Sequence, residues 1–93
     1  MATIVVSSSS YNAALADDTI LCDTSSNSVT INLPGTHPIG KRYVIKHAIG
    51  PISNPVIVQS VDGDDIDGAA SFTFTVQKQA IIIHSDGSDW FIL

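Results

Sequence analysis

The chain has 93 residues and a mass of 9.8 kDa, which leaves room for one domain, since single hydrophobic cores organise roughly 50 to 200 residues. Hydrophobic residues make up 44%, charged residues 14%, and the net charge is -5, a balance that excludes a disordered chain and a nucleic-acid module, whose binding face must be basic. Ile, Val and Thr supply 28 residues against four Leu and no Glu, and all nine acidic residues are Asp; β-branched side chains suit pleated sheets and Asp suits turns, so a helical bundle is excluded and an all-β fold is expected.

In chain order, short apolar or alternating runs are divided by Gly, Pro, Asn, Asp and Ser clusters. The first strand is expected over Thr3 to Val6. Four serines, Ser7 to Ser10, then form a flexible joint, so that residues 1–10 read as an arm and 11–93 as the body. Tyr11 to Asp18 has three alanines and reads as a turn or bend. Strands follow at Thr19 to Cys22, Val29 to Leu33, Tyr43 to His47, Val56 to Ser60, Ser71 to Val76, Ala80 to His84 and Asp89 to Leu93. Pro34, Pro38, Pro51 and Pro55 fall between strands, where a missing N–H does no harm. Asp86-Gly87 suits a two-residue type I′ turn, which would place Ile83 opposite Trp90, Ile82 opposite Phe91 and His84 opposite Asp89.

Several runs are apolar on both faces: Ile81-Ile82-Ile83, Trp90 to Leu93, and Val56-Ile57-Val58. An antiparallel sheet with one wet side alternates instead, so a second surface must cover these strands. A chain this small builds a marginal core, and sharing apolar faces between subunits is the remedy. A small antiparallel β-sandwich, jelly-roll-like, assembling as a homotrimer is therefore expected, with Ile57, Ile82, Phe91 and Leu93 as interface residues.

Chemistry finds little support in the residues. The run Asp62 to Gly68 breaks the EF-hand pattern, with Ile66 at a ligand position and Thr73 where a bidentate Glu is needed, and reads as an acidic turn. His37, His47 and His84 lack zinc-site spacing. No G-x-S-x-G elbow presents a serine. The single Cys22 forms no internal disulfide. The N-terminus lacks a signal-peptide or membrane-span pattern, and the chain is expected to begin at or near Met1. No catalytic, cofactor or metal residues are assigned, and neither nucleic acid nor membrane is expected as a partner. Gly40-Lys41-Arg42 holds two of the four basic residues and suits an ion pair with a nearby Asp or an acidic partner.

The stretches TILCDTSSNSVTINLP, GKRYVIKHAIG, IDGAASFTFT and SDGSDWFIL, which together cover about residues 19–93, resemble a module of bacteriophage tail fibres, spikes and head-decorating proteins. The chain departs from it by inserting Thr36 to Ile39 between Gly35 and Gly40. The resemblance implies a homotrimeric structural protein without enzyme activity. It points to a capsid decoration or cement protein on the virion surface, assembled in the host cytoplasm and holding the major capsid protein lattice together. By position, Thr3, Ile4, Val5 and Val6 are the candidates for capsid contact. A receptor- or glycan-binding fibre module is the alternative, with Tyr11 as its exposed aromatic. A small hydrolase is a further rival and lacks an evident acid, base and nucleophile.

Overall fold

A computed structural model describes residues 2–61 and 63–93, leaving Met1 and Asp62 outside. Among the described residues nine strands form: β1 Thr3–Val6, β2 Ser10–Asn12, β3 Thr19–Asp23, β4 Val29–Asn32, β5 Arg42–Ile49, β6 Val56–Gln59, β7 Ser71–Thr73, β8 Ala80–Ser85 and β9 Trp90–Ile92. All eight expected runs contain a strand. The ninth, β2, takes the last serine of the expected joint and the first two residues of the expected turn or bend, and it is held by a backbone ladder to β4 rather than by an apolar run of its own.

The strands make a five-stranded sheet in the order β1-β3-β5-β8-β9 and a four-stranded sheet in the order β2-β4-β6-β7. From β1 to β6 the chain passes alternately between the two sheets, so successive strands of one sheet run the same way. The pairs β1-β3, β3-β5, β2-β4 and β4-β6 are accordingly parallel. Only β5-β8, β6-β7 and β8-β9 are antiparallel. This corrects the expected antiparallel, jelly-roll-like arrangement: the sheets are mixed, and each early crossover is made through a strand of the opposite sheet instead of a hairpin.

The winding stacks like residues across strands. Ile4, Ile20, Ile45 and Ile81 form one row of the five-stranded sheet. Tyr11, Ile31, Val58 and Phe72 form one of the other sheet. Buried residues of both sheets join Trp90, Tyr43 and Phe74 in one apolar cluster.

The expected N-terminal arm is an edge strand. β1 pairs with β3 over all four of its residues, and Val6 is 3% exposed in the core. Deleting residues 1–9 should therefore destabilise the fold, with about 2 kcal/mol lost from the Val6 side chain alone. Thermal melting of the truncated chain checks this, and an unchanged midpoint would return β1 to the role of an arm.

The terminal hairpin also differs from expectation. Ser85 pairs with Trp90, His84 with Phe91 and Ile83 with Ile92. The turn is displaced by one residue: Asp86 N–H donates to Asp89 O at 3.1 Å across Gly87-Ser88, while Asp86 Oδ1 accepts from Ser88 N–H at 2.9 Å and Asp89 N–H at 2.8 Å. Those N–H donors hold the Asp86 carboxyl below its usual value. Their stabilisation is complete above the ordinary carboxylate range and is lost as pH falls through the lowered value. The register moves by two residues, an even number, so every side chain keeps its expected face.

Candidate functional site

Alternation along β5 turns Tyr43, Ile45 and His47 into the core and Arg42, Val44 and Lys46 outward. On β8 it turns Ile81, Ile83 and Ser85 inward and Ala80, Ile82 and His84 outward. The ladders then align Thr3, Thr19, Val44 and Ile82 in one outward row and Arg42, His84 and Phe91 in another. An outward sheet face in water is ordinarily polar. Here it carries Val5 at 62% exposure, Ile82 at 39%, Phe91 at 41% and Leu93 at 66%. A shallow recess of about 220 Å³ in this face combines Val44 and Ile82 with Thr19 and the charged Arg42 and Asp18.

The expected interface residues divide. Ile82 and Phe91 share this face, and Leu93, whose N–H donates to Ile82 O at 2.9 Å, continues it. Ile57 stands apart, on the outer side of the four-stranded sheet between Thr30 and Thr73. Of the capsid-contact candidates, Thr3 and Val5 point outward on the same face as Ile82, whereas Ile4 packs against the core and Val6 lies in it. Tyr11 is not an exposed aromatic: it is partly buried, and its hydroxyl donates to Asp17 Oδ2 at 2.7 Å. Phe91 takes that description instead.

Lys41 makes the kind of ion pair expected of it, with Asp18 at 3.5 Å, and its Nζ lies 4.5 Å from the centre of the Tyr43 ring. The Ala2 N–H, with the Lys41 ammonium adding to it, holds the Asp18 carboxyl below its usual value. Arg42 Nε donates to His84 Nδ1 at 2.9 Å, so His84 pairs across to β5 and not with Asp89 as expected. Lys46 Nζ donates to Lys78 O at 2.5 Å. Among the described residues, Lys41 is the one Lys or Arg within ion-pair distance of a carboxylate.

Residues distant in sequence meet in a second constellation. His37 Nε2 lies 2.9 Å from Asp64 Oδ2, and His37 Nδ1 contacts Ser85 Oγ. An ionised carboxylate only accepts, so Nε2 carries the proton and Nδ1 receives the Ser85 hydroxyl, the polarity of a serine hydrolase triad. Sequence spacing held no signal for it, because the three residues come from a loop, an acidic turn and a strand end. Chemistry needs access, and here it is lacking. Ser85 is 0% exposed and His37 6%; the His37 ring packs tilted against Trp90 with centres 4.3 Å apart, and Ser85 Oγ already accepts the Gly87 N–H at 2.9 Å. The set works as a buried lock that ties the 37 and 64 loops to the end of β8. A fluorophosphonate probe should leave Ser85 unlabelled in the folded protein, as mass spectrometry of its peptide would show; stoichiometric labelling would make it a nucleophile.

No protein-family model and no curated protein matches the chain.

Two further carboxylates brace the terminal strand. Asp89 Oδ1 accepts the Asp65 N–H at 3.0 Å and Asp67 Oδ1 the Ile92 N–H at 3.2 Å, so these carboxylates brace the edge of β9. Among the described residues no group of three His, Cys, Asp or Glu is placed to hold a metal ion, and Asp62 of the expected acidic turn lies outside them. Burial pushes the Cys22 thiol up to about 12, which keeps it protonated and unreactive. At the opposite end of β5, His47 Nε2 lies 3.1 Å from the buried Thr24 Oγ1.

Proposed function

We propose that the protein is a non-enzymatic structural component of a bacteriophage virion, a homotrimer that decorates the capsid surface by binding the major capsid protein lattice after assembly in the host cytoplasm. The observation that carries this reading is the apolar outer face of the five-stranded sheet, where Val5, Val44, Ile82, Phe91 and Leu93 stand in positions that water would fill with polar residues. A face of this kind is suited to burial between subunits. The sealing of Ser85 and His37 supports the absence of catalysis. The phage setting rests on the resemblance carried by residues 19–93. Three linked footings on a lattice reinforce one another through effective concentration, so each capsid contact can be weak.

Light scattering at micromolar concentration should give a mass about three times 9.8 kDa. Ile82→Asp should convert the trimer to a folded monomer. In the free chain the new carboxylate is solvated, because Ile82 is 39% exposed, whereas in the assembly a buried unpaired carboxylate costs several kcal/mol. Unchanged circular dichroism with a threefold fall in mass is the expected pair of results, and a wild-type monomer sinks the assembly. Shells built from the major capsid protein of the same phage should carry the trimer down on sedimentation. A trimer left in the supernatant would favour the fibre-module reading, to which the exposed Phe91 beside Arg42 and His84 lends its support.

A further inference from the structure

We draw no further inference here: the strongest candidate, the apolar outer face of the five-stranded sheet with its shallow recess at Arg42, Val44 and Ile82, carries nothing beyond the reading above, because Asp18 lines the same recess as Arg42 and nothing in the structure shows what covers the face.

Discussion

Gly50→Ala should lower the melting temperature by roughly 15 °C. Gly50 follows β5 with φ of 105°, a left-handed conformation that strains any residue bearing a Cβ. An added Cβ would also lie 2.5 Å from Thr24 Oγ1 and 2.6 Å from Ser25 N and the Thr24 carbonyl carbon. Two of those atoms are backbone, and that backbone is held in place, since Thr24 N–H donates to Ile49 O at 2.8 Å and Thr24 is 0% exposed. Neither side of the overlap can swing away. Strain and overpacking together cost about 3 kcal/mol. Gly40→Ala is the control: its φ is 89° but no atom lies within 4 Å of its Cβ position, so only the conformational strain of about 1 kcal/mol remains. Thermal melts of the two variants separate the effects. Equal midpoints would mean that the close approach between the turns at 24–25 and 50 is not maintained in solution.

Trp90→Ala should be the most damaging core substitution, with a loss of about 3 to 5 kcal/mol in denaturant unfolding. Trp90 is 0% exposed, its ring centre lies 4.3 Å from that of His37 and 5.7 Å from that of Tyr43, and its backbone joins the 65–67 segment through Asp65 O and Asp67 N–H. Truncation leaves a cavity beneath the hairpin and removes the surface against which His37 packs, so the links to Asp64 and Ser85 should loosen with it. Trp90→Phe should cost much less. The buried Trp90 Nε1–H has no partner among the described residues, and an unpaired buried donor offsets part of what the larger ring contributes. If the Phe variant were as unstable as the Ala variant, the indole N–H would have to be making an essential bond.

Ile81-Ile82-Ile83 shows how much of this was legible in the chain. That the run is a strand, that Ile82 faces away from its neighbours, and that Asp86-Gly87 turns the chain back all follow from local preferences. The outward apolar residues could be named for the same reason: alternation assigns faces without reference to a partner strand. The turn position could not be read as securely, because the Asp86 carboxylate binds the N–H groups of Ser88 and Asp89 and stabilises a turn over Gly87-Ser88 in place of one over Asp86-Gly87.

Strand direction was beyond the sequence for a different reason. Val29 to Asn32 alternates buried and half-buried residues just as a strand with an antiparallel partner would, yet both of its neighbours are parallel. Side-chain period carries no record of which way the adjacent strand runs. The meeting of His37, Asp64 and Ser85 belongs to the same class, since it depends on where three separate connections cross the end of the core. The sequence by itself determined the all-β class, the strand segments and the residues that face outward, because these depend on period, β-branching and turn chemistry within a few neighbouring positions. The tertiary structure alone decided that the chain winds between two sheets, that Thr3 to Val6 pairs with β3 as an edge strand, and that Val5, Val44, Ile82 and Phe91 lie on one face. Those outcomes depend on pairing between segments far apart in the chain, and the free energy that selects them comes from the shared core that exists only once the sheets have closed upon it.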